Sequence, residues 1–149
     1  MADTVIRIEL YNALTDTKIG DIYEGFVFDE RVYGLSGGNI NLRAITDPDL
    51  VGSVRLIITS STGFSYTRTE NTAPYAQFGD DSGNYIPWAS SSVYSTGTYN
   101  IKATPYSLSG ATGTVGTALT YNISFVSSSN VTQFPNLELT NATIVNYTQ

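Results

Sequence analysis

Short runs of alternating apolar and polar residues recur along this chain, separated by segments rich in Gly, Asn, Asp, Ser and Pro. In the first run, TVIRIELYN, Ile6, Ile8 and Leu10 fall on one face of an extended strand, while Arg7 and Glu9 fall on the other. No stretch has the sustained i, i+3, i+4, i+7 spacing of an amphipathic helix. The pattern therefore predicts an all-β protein whose strands bury one face.

The number and spacing of these runs predict a two-sheet protein. The later runs cover residues 22–29, 39–46, 52–60, 64–70, 97–107 and 117–127. Roughly seven to nine strands of ordinary length favour an antiparallel β-sandwich of the immunoglobulin-like type, with a jelly roll as the alternative. Tyr99 stands near the start of its run, where immunoglobulin-like folds place a tyrosine that fixes the preceding corner.

The chain is expected to contain one sandwich domain, residues 1–126, followed by a segment of different character, residues 127–149. This second segment opens with three serines, 127–129, which we interpret as a linker. Residues 137–147 follow, and their apolar pattern predicts either an added edge strand or the first strand of a next module.

Composition and charge exclude several classes of partner. Charged residues make up only 13% of the chain, the net charge is −6, and the seven basic residues are scattered, so nucleic acid is not an expected partner. No apolar run is long enough to span a bilayer, so membrane insertion is not expected. Low charge with abundant Tyr, Ser, Thr and Gly is typical of extracellular β-proteins, and we expect an extracellular or cell-surface location.

Missing residue types exclude most catalytic chemistry. The chain has neither His nor Cys, so Ser–His and Cys–His nucleophile systems and zinc sites of the His and Cys type cannot form. A glycosidase pair of carboxylates stays open. However, Glu70 is the one acid set in a predicted strand beside aromatic residues, and no second acid is its evident partner. We therefore expect a non-catalytic protein without a resident organic cofactor.

Residues 64–90, FSYTRTENTAPYAQFGDDSGNYIPWAS, begin as a strand and then become a long irregular segment of turn formers and aromatic residues. Two interpretations stay open. The segment is either a binding loop whose rings stack on sugars, or a plug that closes one end of the sandwich with Arg68 and Glu70 as an internal brace. The candidate ligand-binding residues in and just after the segment are Tyr75, Asn84, Tyr85, Trp88 and Tyr94.

The turn GDDSGN within this segment is a candidate calcium site. Asp80, Asp81 and Asn84 offer oxygen ligands of the kind that Ca²⁺ prefers. The turn departs from the EF-hand pattern because no ligating Glu follows at its far end. The alternative is that these residues are simply turn formers.

Three further features are similar to a known family. They are RTENTAPY (68–75) followed by Gly79 and Asp80, GTYNIKATPY (97–106) and GTVGTAL (113–119). These motifs resemble those of an immunoglobulin-like module that recurs in large bacterial secreted and surface proteins, often beside malectin-like domains. The resemblance covers residues 5–126 and implies architecture and context, but no activity or ligand. It implies a structural motif that comprises Arg68, Glu70, Asn71, Pro74 and Tyr99.

These observations predict a non-catalytic module of a larger extracellular or cell-surface protein, acting in adhesion or carbohydrate binding. Its partners would be a glycan or neighbouring modules of the same chain. One alternative is a structural spacer, which would bury its aromatic residues and place its two ends at opposite poles. Another is a filament subunit that forms oligomers by adding residues 137–147, or its first strand, to a neighbour's sheet edge.

Overall fold

The computed structural model describes residues 3–127. They contain twelve strands and three short helical turns, joined by loops. The strands are β1 (Thr4–Asn12), β2 (Thr17–Asp21), β3 (Val27–Asp29), β4 (Ile40–Asp47), β5 (Ser53–Ser60), β6 (Ser65–Glu70), β7 (Tyr75–Ala76), β8 (Asp80–Asp81), β9 (Asn84–Tyr85), β10 (Gly97–Leu108), β11 (Thr112–Val115) and β12 (Leu119–Val126). The helical turns are α1 (Glu30–Tyr33), α2 (Trp88–Ser91) and a 3-10 turn at Gly37–Asn39.

The strands form two facing sheets and one small hairpin. The first sheet has the order β2-β1-β4-β7 and is antiparallel throughout. The second has the order β3-β12-β10-β5-β6, with β11 also paired to β10, and its only parallel pair among the described strands is β3 with β12. Strands β8 and β9 pair with each other. The predicted all-β sandwich is confirmed.

The core lies between the sheets and is built from the predicted apolar faces. Alternating residues of β1, β4, β5, β10 and β12 point inward, so each strand contributes two or three buried side chains. The largest fully buried side chains are those of Trp88, Phe28, Phe78, Phe125, Ile8, Leu10, Ile40, Leu42, Leu56, Ile58, Ile101 and Ile123. Burial of a side chain of this size stabilises the fold by about 1.5–3 kcal/mol.

Two local expectations about the strands are wrong. Ile6 is 49% exposed rather than buried, because the register of β1 against β4 shifts between Val5 and Arg7 and Val5 takes the inward position. The run predicted over 22–29 is a strand only at Val27–Asp29, whereas the more polar residues Thr17–Asp21 pair with β1 as an edge strand.

The two ends of the described chain lie at opposite poles of the sandwich. Thr4, at the start of β1, forms a parallel bridge with Thr117. The chain then runs along β12 to Val126, which pairs with Asp29 at the far end of the second sheet. Strand β12 therefore carries the chain from the pole where β1 begins to the pole where β1 ends.

The predicted edge strand or next module at residues 137–147 lies outside the described residues, as does most of the predicted linker. Oligomer formation through this terminal strand accordingly stays a prediction. Within residues 3–127, no helix has the length and apolar character that a membrane crossing requires.

Candidate functional site

Trp88, the most distinctive residue of the 64–90 segment, lies at the centre of the core. Its exposed fraction is 0%, and its ring stacks on Phe78 with centroids 4.9 Å apart. The rings of Tyr99 and Phe125 meet it edge to face at 5.0 and 5.4 Å. These stacked and edge-to-face contacts are the geometries that aromatic pairs favour. The prediction that Trp88 stacks on a sugar does not fit this structure, because the ring is covered on all sides.

The other aromatic residues that the sequence predicted to bind a sugar also make contacts within the protein. Tyr75 is 2% exposed, and its hydroxyl accepts from the Val51 amide at 3.0 Å and donates to the Val51 carbonyl at 3.1 Å. Tyr85 is buried and stacks on Tyr11 at 4.4 Å. Tyr94 is half-buried rather than at a loop tip. The predicted aromatic surface is therefore corrected: Tyr75 and Trp88 are buried in the core between the sheets, and Tyr85 is buried in a separate cluster with Tyr11.

Tyr94 closes the pole of the molecule near α1. Its hydroxyl donates to Glu30 Oε2 at 2.7 Å, and the same carboxylate oxygen accepts from the Gly37 amide at 2.7 Å. Burial and the hydrogen bond to Glu30 raise the pKa of the Tyr94 hydroxyl far above its usual range. A Cβ on Gly37 would lie 2.2 Å from the Tyr94 hydroxyl oxygen, so this position requires glycine.

The predicted brace between Arg68 and Glu70 is present. The Arg68 Nε donates to Glu70 Oε2, and this bond raises the pKa of the guanidinium. The guanidinium lies against Gly79, where a Cβ would sit 2.7 Å from Arg68 Cζ and where φ is +84°. Gly79 therefore allows the irregular segment to pass directly beneath the arginine.

The other residues of the predicted structural motif are Asn71, Pro74 and Tyr99, and they fix the positions of loops. The Asn71 Oδ1 accepts from the Gly110 amide at 2.7 Å, which ties the start of the segment to the β10–β11 turn. The peptide bond before Pro74 is cis. Tyr99 donates its hydroxyl proton to the Ser95 carbonyl at 2.6 Å. This is the tyrosine corner that the sequence predicted, and it is shared with immunoglobulin-like sandwiches.

The candidate calcium turn forms the β8–β9 hairpin. Asp80 Oδ2 accepts from the Gly83 amide at 2.8 Å, and Asp81 and Asn84 pair across the hairpin. Asp80 therefore acts as a turn former in this structure. Within residues 3–127, no three His, Cys, Asp or Glu side chains are grouped so that they could hold a metal ion. Calcium binding stays a prediction.

Sequence reasoning missed a cluster on the outer face of the first sheet. We define the outer-face cluster as Arg7, Glu9 and Tyr11 of β1, Lys18 of β2, Arg43 of β4 and Tyr85 of β9. Glu9 is only 4% exposed, and its carboxylate accepts from three of these side chains. The donors are Arg7 Nε at 2.9 Å, Lys18 Nζ at 3.1 Å and the Tyr11 hydroxyl at 3.1 Å.

Electrostatics in the outer-face cluster favour a charged Glu9. Burial raises the pKa of its carboxyl, but the hydrogen bonds from Arg7, Lys18 and Tyr11 outweigh burial, so the pKa lies below its ordinary value. Arg43 Nη1 donates to the hydroxyls of Tyr11 and Tyr85, both at 3.2 Å. The alternation of Arg7, Glu9 and Tyr11 on one face was visible in the sequence, but Lys18 belongs to a strand that the sequence did not predict.

A second missed residue is Asn41, which is fully buried. Its Nδ2 donates to the carbonyls of Gly79 and Ile86 at 2.9 and 2.8 Å, and its Oδ1 accepts from the amides of Leu42 and Phe78 at 2.7 and 3.1 Å. The sequence placed Asn41 on the polar side of β4, which is correct, but no local pattern indicates that the later segment covers it.

Comparison with known proteins adds no relative. Neither a protein family, nor a curated protein, nor a solved structure matches this chain. The resemblance to extracellular modules therefore stays an expectation that depends on its motifs.

Proposed function

We propose that this chain is a non-catalytic structural module of a larger extracellular or cell-surface protein, where it acts as a spacer that holds its neighbours apart. The observation that carries the proposal is the placement of the two ends of the described residues, 3–127, at opposite poles, since Thr4 bridges Thr117 and Val126 lies at the other end of β12. A module of this geometry adds its full length to a string of modules.

The contacts at the first pole support this role. The Val5 amide donates to the Thr117 carbonyl at 3.0 Å, and the Thr117 amide donates to the Asp3 carbonyl at 2.8 Å. Tension applied through the two ends pulls β1 and the chain leading into β12 in opposite directions. These two hydrogen bonds, which we call the strand latch, are loaded in shear and must break together.

The burial of the rings of the 64–90 segment favours the spacer over a role in which this segment itself binds a carbohydrate. Stacking on sugars needs rings on the surface, and Tyr75, Tyr85 and Trp88 are buried. Their burial supports a segment that closes the sandwich instead.

The test is single-molecule force spectroscopy on a tandem array of the full chain. We compare the parent chain with Gly116→Ala. A Cβ on Gly116 would lie 2.1 Å from the Asp3 carbonyl oxygen, so this variant displaces the first strand from the strand latch. Loss of two hydrogen bonds destabilises the latch by about 1 kcal/mol each, and we expect unfolding at distinctly lower force.

Gly20→Ala is the matched control, because no atom lies within 4 Å of a Cβ built there. We expect this control to unfold at the parent force. Equal unfolding forces for the parent and Gly116→Ala, or unfolding of the parent at forces too small to resolve, would contradict a spacer that withstands tension.

A further inference from the structure

A shallow pocket of about 360 Å³ lies beside the outer-face cluster, at the outer surface of the first sheet. It opens where the pairing between β4 and β7 ends. Strand β7 pairs with β4 at Arg43 and Ala44, and it does not cover the edge of β4 beyond Ala44. The pocket volume falls within the range of roughly 300–1,000 Å³ found for small-molecule sites. Residues that line it include Arg7, Arg43, Thr46, Asp49, Leu50 and Pro74.

Two guanidinium groups face this pocket with unused donors. Within residues 3–127, Arg43 hydrogen-bonds only through Nη1, to the hydroxyls of Tyr11 and Tyr85, and it forms no ion pair. In the same part of the chain, Arg7 hydrogen-bonds only through Nε, to Glu9. A guanidinium carries five N–H donors, so several donors on each arginine remain for a ligand.

The two arginines are held in place before any ligand arrives. Glu9 fixes Arg7, while the stacked rings of Tyr11 and Tyr85 fix Arg43, which also lies 6.0 Å from the Tyr11 ring centroid. Preorganised donors lose little side-chain entropy on binding. Guanidinium groups in this arrangement bind carboxylates strongly, because the hydrogen bonds are charge-assisted and can be bidentate.

We propose that this pocket, which we call the two-arginine pocket, binds the carboxylate of a uronic acid unit in an acidic polysaccharide. The Asp49 carboxylate supplies an acceptor for a ring hydroxyl, and Leu50 and Pro74 supply apolar contact for ring C–H groups. A peptide carboxylate fits less well, because the peptide groups attached to it need hydrogen-bond partners that Leu50, Ala73 and Pro74 side chains do not offer. This site goes beyond the spacer role and does not depend on it.

The experiment titrates the full chain with trigalacturonate and, separately, with a neutral galactose trisaccharide, followed by amide chemical shifts at low salt. We expect saturable binding of trigalacturonate with shifts at Thr46, Asp49 and Ala73, and no saturation with the neutral sugar. Since charge carries the recognition, added salt should weaken the binding. Absence of saturable binding, or equal binding of both sugars, would overturn the proposal.

Variants locate the site. Arg43→Met should weaken trigalacturonate binding at least tenfold, whereas Lys102→Met, on the outer face of the other sheet, should leave it unchanged. Because Arg43 also contacts Tyr11 and Tyr85, Leu50→Glu provides a second variant. Leu50 is 70% exposed, so this change adds a repelling carboxylate at the rim without disturbing the core, and it should also weaken binding at least tenfold. Unchanged affinity in Leu50→Glu would place the ligand elsewhere.

A third titration with triglutamate separates the two sources of carboxylate. Weaker binding of triglutamate than of trigalacturonate supports the uronate assignment. Tighter binding of triglutamate would overturn it in favour of an acidic peptide. Neither result bears on the force measurement, so failure here and failure of the spacer role are distinguishable.

Discussion

Individual buried polar side chains determine much of the local structure of this molecule, because several of them form hydrogen bonds with more than one partner. Glu9 is the clearest example, because a nearly buried carboxylate would be costly without the three donors around it. The cost of removing such a group lies mainly in the partners that it leaves behind.

Glu9→Gln should therefore reduce stability in a pH-dependent way. The folded-state pKa of Glu9 lies below its ordinary value of 4.5, so its charge contributes stability that is fully present above pH 4.5 and is lost as pH falls through the folded pKa. We expect a loss of about 1.5–3 kcal/mol at pH 7 from weakened charge-assisted hydrogen bonds, shrinking progressively below pH 4.5. Urea unfolding at several pH values measures it. Exposed Asp81→Asn is the control, and a loss independent of pH would contradict the assignment.

Tyr99→Phe should destabilise the chain by about 1 kcal/mol or more, because the Ser95 carbonyl loses the hydroxyl that lies 2.6 Å away. Tyr106→Phe is the matched control, since the Tyr106 hydroxyl has no hydrogen-bond partner among residues 3–127. Denaturant midpoints at constant m-value report the difference. Equal midpoints for the two variants would mean that the corner contributes nothing measurable.

Among the secondary-structure elements, the irregular segment is held in place by hydrogen bonds to strand β4. Strands β7, β8 and β9 are two residues long each, too short to be stable by pairing alone. Asn41 on β4 supplies what pairing does not, because its amide bonds the backbone of Phe78, Gly79 and Ile86.

Asn41→Ala should consequently release this segment and destabilise the whole chain by about 3 kcal/mol or more, since two buried backbone groups and one partly buried one lose a partner at about 1–3 kcal/mol each. Thermal unfolding measures the loss, and faster hydrogen exchange at the Phe78 amide localises it. Asn84→Ala, on the exposed tip of the hairpin, should stay within about 0.5 kcal/mol of the parent. Similar effects for both variants would remove the special role of Asn41.

The burial of each strand also explains which parts of the fold the sequence could predict. Long strands give clear signals: alternation predicts β10, and a nearly continuous apolar run predicts β5. The predicted bounds of both strands agree with the structure to within one residue. The edge strand β2 gives no such signal, because none of its residues is fully buried and Ile19 alone among them packs against the core. Trp88 and Tyr85 were assigned as ligand-binding candidates because no local pattern states which side of a loop faces the core.

For the molecule as a whole, the separation of the two ends of residues 3–127 is the property on which the spacer role depends. Asp3 lies beside Thr117, and the eleven residues from Thr117 to Ser127, separated by ten steps of about 3.3 Å, span about 30 Å in extended form. Because the chain contains no cysteine, Asp3→Cys with Ser127→Cys gives two unique dye positions. Single-molecule energy transfer should report about 30 Å between them, beyond the linkers of the dyes.

The pair Asp3→Cys with Asp49→Cys serves as the internal reference for that distance. Thr4 pairs with Asp47, so both dyes then sit at the same pole and should give near-maximal transfer. Similar transfer for the two pairs would mean that both ends leave the sandwich from one pole. In that case a string of such modules would fold back at each unit, and the chain could not lengthen the protein that carries it.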